Sequence, residues 1–392
     1  MSLLGFRYLR KQNVLILFLL VTLISTLFSI TTFSLLGFYN GFNAYLGEGE
    51  NIVAIYSTKG RTPFTGIVPS YLAERLNTIK GVQASSPEIL APCIVKGEAA
   101  FARGAIVEVL SKLNPLTMVD GNLSTPDDLD SAIVGRNLAQ KLNLKPGNQI
   151  LVQGTLTERY LELHINGIYE SHTPLDDEII IPLCAGQCLR AVDYGQVTLI
   201  RVKIDKTQVT PEAIFQEIAK EASEPSQNNG KEQKQPGGVI PWPRISFLIG
   251  DIGVKDAQTF MKSYLDQYGV TPENMLILSV TVFIFSSASL AIASTTLTRQ
   301  HEHEIGILKS LGASQKTLKM DLLAKTLSIS IIASACGALL AMLTLTVIWE
   351  TGYLQILSHR VLIQFNPIII VLNFALVSIV VSASILHSMV KK

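Results

Sequence analysis

The sequence predicts an α-helical membrane protein with four transmembrane helices and a large extracytoplasmic α+β domain between the first and the second. Three observations carry that reading. The 392 residues are 48% hydrophobic and only 16% charged, and the mean hydropathy is +0.36, a balance suited to partial residence in lipid. Residues 14–38, 275–297, 327–349 and 368–390 contain no Asp, Glu, Lys or Arg, and each is long enough for a hydrocarbon core that needs about 20 apolar residues. Residues 41–274, between the first two runs, show mixed strand and helix patterns instead. A formal net charge of +1 with no basic face gives no support to a nucleic-acid partner, and none is expected.

The first run exceeds the roughly 7–15 apolar residues of a secretory leader and lacks a small-x-small cleavage site, so it is an uncleaved anchor. Arg7, Arg10 and Lys11 precede it; Arg299, Lys309, Lys316, Lys319 and Lys325 lie between the second and third runs; Lys391 and Lys392 end the chain. Four spans place all of these on one side, so both termini are expected in the cytoplasm and residues 41–274 and 351–366 outside.

Within residues 41–254, "NIVAIYS" reads as a strand, "PSYLAERLNTIKGV" as a helix ending near Gly81, and "EIIIPL", "CAGQCLRAV" and "VTLIRVKI" as strand, helix, strand. Thr210 and Pro211 open a helix in "TPEAIFQEIAKEA". Residues 93–169, rich in β-branched side chains and turn signals, predict a β-rich subdomain inserted into the α/β one. "EPSQNNGKEQKQPGG" reads as a flexible surface loop. Residues 255–274, beginning "KDAQTFMKSYLDQYG", predict an amphipathic stalk helix leading into the second span.

The segment 298–326 contains His-Glu-His-Glu. On a helix His301 and His303 lie about 200° apart, too far round to share one ion. A His-Glu-x-x-His site would need histidine at position 305 or 307, and both are isoleucine. The segment is instead built as a short amphipathic helix. Glu302 and Glu304 occupy its first turn and Lys309 its last, Ile305, Leu308 and Leu311 form one apolar stripe, and Gly312 ends it. Ser314 caps a second helix, "QKTLKMDLLAKTL", that enters the third span. The stripe has to be buried, either on the lipid surface or in a groove of a partner protein.

Other signals are weaker. Gly337 and Ala341, four apart in the third span, suit close helix packing, either as ordinary bundle packing or as a dimer seam. Asn373 is placed to bond across helices. Cys184 and Cys188 are i, i+4, at the limit of disulfide reach, and with Cys93 and Cys336 they read as buried or free thiols. His164 and His172 lack the tight spacing of metal ligands. Asp176, Asp177 and Glu178 read as a solvated acidic turn beside a strand, with no partnered base or nucleophile to make them catalytic. The spans carry no carboxylate for a proton relay. No Gly-x-x-x-x-Gly-Lys-Ser/Thr loop occurs, so the chain is not expected to hydrolyse ATP and carries no cofactor of its own.

"EIGILKSLGAS" at 304–314 resembles the cytoplasmic signature of the MacB/LolC/FtsX-like (Type VII) permeases of ABC transporters. "GFRYLRKQ" within residues 1–13 is similar to the family's amphipathic cytoplasmic elbow, and "LNTIKGVQASSPEI" and the stretch from Met118 to Val152 to parts of its core domain. Where the family often has a basic residue directly before Glu-Ile-Gly, this chain has His303. The resemblance implies that Glu304, Ile305, Gly306, Leu308, Lys309, Leu311 and Gly312 form a coupling helix that docks on a separate ABC ATPase, present in two copies and holding the ATP and Mg. It further implies a second permease protomer, surrounding lipid and an extracytoplasmic protein partner. The function it implies is transmission of ATP-driven movement to the outer domain, to export or extract a lipoprotein, peptide or small molecule. The alternative is a non-transporting, FtsX-like regulator of a cell-wall hydrolase or signalling partner.

Overall fold

The computed structural model describes residues 11–45, 51–60, 62, 65–125, 128–223, 251–300, 307, 310, 314–352, 355–356, 358–361, 363 and 365–390. The chain begins with α1 (Lys11–Ala44), β1 (Ile52–Ser57), β2 (Val68–Pro69), α2 (Tyr71–Leu76), β3 (Val82–Val95), β4 (Glu98–Ala105) and α3 (Val107–Leu113). It continues through β5 (Thr117–Gly121), β6 (Ser131–Gly135), α4 (Arg136–Leu142), β7 (Gln149–Gly154), β8 (Tyr160–Glu170), a 3-10 turn (Pro174–Asp177), β9 (Glu178–Pro182) and α5 (Leu183–Arg190). Then come β10 (Gln196–Val197), β11 (Leu199–Ile204), α6 (Pro211–Ser223), β12 (Ile252–Asp256) and α7 (Ala257–Gln267). The last elements are α8 (Pro272–Gln300), α9 (Gln315–Glu350), β13 (Gln355–Ile356), β14 (His359–Arg360) and α10 (Pro367–Val390).

Two compact units result, one of residues 1–40, 269–354 and 361–392 and one of residues 41–268 with 355–360. In the first unit, α1, α8, α9 and α10 supply the four helices long and apolar enough to cross a membrane. They meet through small and polar residues, as helices do where no hydrophobic driving force separates them from lipid. Thr22 donates to the Ala333 carbonyl at 3.2 Å, Ser25 to that of Ser334 at 2.9 Å and Thr26 to that of Gly337 at 3.1 Å. Asn373 of α10 is fully buried and donates to the hydroxyls of Ser25 and Ser29.

The second unit is built on a ten-stranded sheet of order β12-β1-β11-β3-β4-β9-β6-β8-β5, with β7 pairing β3 and β8. One face packs on α2, α4, α5 and α6 through residues such as Leu72, Leu138, Leu189 and Ile214. The other face is covered by α7, through Ala257, Phe260 and Met261, by Tyr45, and by Leu110 of α3. Strands buried on both faces lose the simple alternation of apolar and polar residues, as a sheet sandwiched by helices requires.

Two expectations change in detail. The β-rich stretch 93–169 forms no separate sheet: β3 is shared, pairing β11 through its first half and β4 and β7 through its second. Residues 255–274 form no single stalk helix. Lys255 and Asp256 end β12, α7 stops at Gln267, and Gly269 turns the chain at φ +72° before α8 begins at Pro272. Thr271 accepts the Asn274 N–H at 3.2 Å, so a glycine stop and a Thr-Pro start stand back to back and break the helix. The stripe Phe260, Met261 and Leu265 is spent on the sheet side of the unit. The loop read from "EPSQNNGKEQKQPGG" and the elbow residues 1–10 lie outside the described residues.

Candidate functional site

Of the expected coupling helix, Glu304, Ile305, Gly306, Leu308, Lys309, Leu311 and Gly312 lie outside the described residues. Ile307 and Ser310 are described; both are helical and exposed, and the Ser310 hydroxyl donates to the Ile307 carbonyl at 2.7 Å. At the entry to the third span Lys325 is buried and ion-paired to Asp321, one turn earlier, at 2.6 Å.

Gly337 and Ala341 pack inside the protomer, the ordinary bundle packing that is one of the two readings of this pair. A Cβ on Gly337 would lie 2.6 Å from the Thr22 carbonyl oxygen and 2.7 Å from Ser25 Cβ, so glycine is what lets α9 approach α1. Ala341, one turn on, is fully buried.

The largest departure lies at residues 176–178, which are no solvated turn. Asp176 is buried and accepts the N–H groups of Ser171 at 2.6 Å and His172 at 2.9 Å. Asp177 accepts the Arg360 N–H at 2.8 Å. Glu178 is fully buried and accepts two parallel bonds from Arg103, Nε to Oε2 at 2.6 Å and Nη2 to Oε1 at 2.8 Å. Arg103 Nη1 also donates to Glu88, whose other oxygen accepts Arg201 Nε at 2.8 Å. Glu88, Arg103, Glu178 and Arg201 are all 0% exposed. Sheet register brings them together: Phe101 pairs Glu178, Leu90 pairs Arg103, and Leu199 pairs Glu88. Two guanidinium groups and two carboxylates balance in charge, the condition under which buried ions persist.

His359, on the hairpin between the third and fourth spans, completes the cluster. Its Nε2 lies 2.9 Å from Glu178 Oε1. Burial alone would raise the Glu178 pKa, but the Arg103 charge and the bonds from His359 and Arg103 outweigh it and hold the carboxyl far below the usual range. Glu178 is therefore an acceptor only, and Nε2 carries the imidazole proton. Burial pushes neighbouring Asp177 the other way, up, and the Arg360 and His359 contacts only partly offset it. The Tyr45 ring packs against His359 with centroids 4.5 Å apart and lies 5.6 Å from the Arg103 guanidinium carbon. Burial and the Glu178 charge raise the Tyr45 pKa, so its hydroxyl stays neutral. Sequence reading missed Glu88, Arg103 and Arg201. The available signal was a charge flanked by apolar residues inside a strand, as Arg103 in "FARGA" and Arg201 in "LIRV".

All four cysteines are free thiols; Cys93 is buried, and burial above all, with the Glu178 charge, pushes its pKa up to about 12. Among the described residues no group of three or more His, Cys, Asp or Glu is arranged to hold a metal ion.

A sheet domain inserted between the first and second of four apolar helices is the architecture of a multi-pass membrane protein. Residues 13–221 match the family model described as MacB-like periplasmic core domain, and residues 276–392 that described as FtsX-like permease C-terminal. The chain belongs to the MacB/FtsX-like permease family, whose members are membrane subunits of the ABC transporter type. Among solved structures it is similar to the periplasmic region of MacB from Actinobacillus actinomycetemcomitans, at 14% identity over 55% of this chain and 92% of that one, with a TM-score of 0.37. It is also similar to the extracellular domain of the noncanonic ABC-type transporter YknZ from Gram-positive bacteria, at 13% identity over 40% and 84% of the two chains, with a TM-score of 0.31. A domain of a putative permease protein from Porphyromonas gingivalis matches at 13% identity over 44% and 82%, with a TM-score of 0.31. No curated protein matches the chain.

Proposed function

We infer that the chain is a mechanotransmitting subunit. A separate ABC ATPase, two copies beneath two permease protomers, pushes on residues 304–312, and the movement reaches the extracytoplasmic domain to extract or expel a lipoprotein, peptide or small molecule. Both termini lie in the cytoplasm in this reading, and ATP and Mg reside on the partner.

One arrangement supports it. Family matches cover both the domain between the first two spans and the C-terminal three spans, and the segment 298–326 between the second and third spans carries the apolar stripe of Ile305, Leu308 and Leu311. Within residues 41–268 the domain is tied into one sheet, so a push at its edge is passed on as a displacement of the whole.

The test is co-purification from detergent with and without Leu308→Asp. Burying a leucine contributes about 1.5–3 kcal/mol, so a charge there is expected to weaken the complex by about tenfold or more. The wild-type chain should bring down a nucleotide-binding chain, and the variant should lose both that chain and ATP-dependent activity. Unchanged association and activity in the variant overturn the reading.

A further inference from the structure

We propose that the 355–360 hairpin is a releasable strap, and that the buried Arg103–Glu178 pair is the socket it closes. The proposal concerns how the movement described above is received, and so rests on that reading; its first readout does not.

Five observations bear on it. The hairpin joins the third and fourth spans in sequence, yet its residues belong to the sheet unit. Its two strands are two residues long and pair only with each other, and the turn between them puts Ser358 at φ +69°, a conformation that a residue with a side chain adopts at a cost. Among the described residues it is held by polar contacts from His359 to Glu178 at 2.9 Å, from the Arg360 N–H to Asp177 at 2.8 Å with the Arg360 Nε 4.0 Å from the same carboxylate, and from Lys141 Nζ to the Gln355 side chain at 3.1 Å. Two of those bonds, from His359 and from the Arg360 N–H, end on the buried carboxylates Glu178 and Asp177. Finally, Tyr45, one residue beyond α1, stacks its ring edge on the same imidazole.

The segment leaving the first span and the segment linking the third and fourth are thus pinned to one pair of charges. A short element held by a handful of polar bonds opens at far smaller cost than the sheet beneath it. Opening exposes Glu178 and Arg103 to water, which solvates both charges and offsets part of the lost contact. The result is a two-position joint. Docked, it ties movement of the link to β9 and β4; undocked, it lets the sheet unit move independently of that link. Among the described residues the ionisable groups around His359 in the docked state are Glu178 and Arg103 on the sheet, Glu88 and Arg201 behind them, Asp177 and Arg360 beside them, and neutral Tyr45 above.

The experiment uses the full chain in lipid nanodiscs and reads hydrogen exchange of the Arg360 amide. In the wild type it should exchange well below the free-peptide rate. Hydrogen bonds to charged groups contribute enough that His359→Ala should speed exchange about ten- to a hundredfold, while His359→Gln, which keeps a donor for Glu178, should restore at least part of the protection. Global melting of the His359→Ala chain should stay near that of the parent, since the sheet is untouched. Free-peptide exchange in the wild type, or protection unchanged in His359→Ala, overturns the strap. With the partner ATPase and ATP added, exchange at Arg360 should rise; no rise where the complex turns over ATP overturns the release step. Failure to form the complex at all counts against the function proposed above and leaves the resting strap to be judged by the first readout.

Discussion

Glu178→Gln is the most decisive perturbation of the sheet unit, because it removes one charge from a balanced set and changes shape by a single atom. In the parent, Arg103 directs two N–H groups at the two Glu178 oxygens, at 2.6 and 2.8 Å, with both side chains 0% exposed. The amide offers one acceptor and points N–H at N–H on the other side. The net charge of the buried set becomes positive, with Glu88 left to serve both Arg103 and Arg201. Removing one partner of a buried pair costs about 3–5 kcal/mol. For a domain of this size each kcal/mol moves the midpoint by about 2–4 °C, so thermal unfolding of the detergent-solubilised chain at pH 7 should fall by about 6–20 °C. Arg103→Met should do comparable damage, and the double substitution should be less damaging than the sum of the two, by more than about 1 kcal/mol. A shift under about 2 °C, or strict additivity, would refute the claim that these ions act as one cluster.

The same variant carries a pH signature. The folded-state pKa of Glu178 is depressed below its ordinary 4.5, so its contribution is fully present above the unfolded value and is lost as pH falls through the folded one. Between those values the unfolded chain binds a proton that the folded chain refuses, and stability drops with falling pH. Glu178→Gln lacks that proton and should show a shallower acid limb. Asp177, whose folded pKa is raised, works in the opposite sense: what it contributes is present at low pH and lost as pH rises through its folded value. A steeper acid limb in the variant would contradict the assignment.

Two further predictions concern other parts of the chain. Gly337→Leu forces α9 away from the Thr22 carbonyl, which a Cβ would meet at 2.6 Å, and should destabilise the helix bundle by about 1–3 kcal/mol; thermal aggregation in detergent reads this, and a loss of dimer with protomer stability intact would point back to a seam between protomers. Cys93, buried with its pKa pushed up to about 12, should resist maleimide at pH 7 in the folded chain while the half-buried Cys184 and Cys188 react; mass spectrometry after labelling decides, and equal labelling of all three would place Cys93 wrongly.

How much of this was legible follows from how densely each constraint writes itself into the sequence. Lipid demands an apolar residue at nearly every position for about 20 residues, so the four spans could be read in α1, α8, α9 and α10, although α9 begins at Gln315, well before the uncharged run at 327. The helix at "TPEAIFQEIAKEA" was legible because Pro211 and Thr210 mark its start locally, and α6 begins there. Gly269 and Pro272 were equally local signals of a break, and the amphipathic pattern before them concealed it, since a stripe says that a face is buried and not what buries it.

The charges of the sheet fail for a different reason. Arg201 alternates with Ile200 and Val202, which in a half-exposed strand is the pattern of a solvent face. That face is dry here because most of its cover comes from far along the chain: Met261 and Phe260 from α7, and His359 from 181 residues beyond Glu178. No local window contains both Glu178 or Arg201 and the residues of α7 and the hairpin that cover them. A strand charge with apolar neighbours on both sides therefore has two readings, and what separates them is whether other strands offer a matching charge in register. Glu88, Arg103, Arg201 and Glu178 sit on four neighbouring strands, two of each sign. That balance lets the face be covered without an unpaired ion, and it makes the cover dependent on a hairpin whose own ends run into the third and fourth spans.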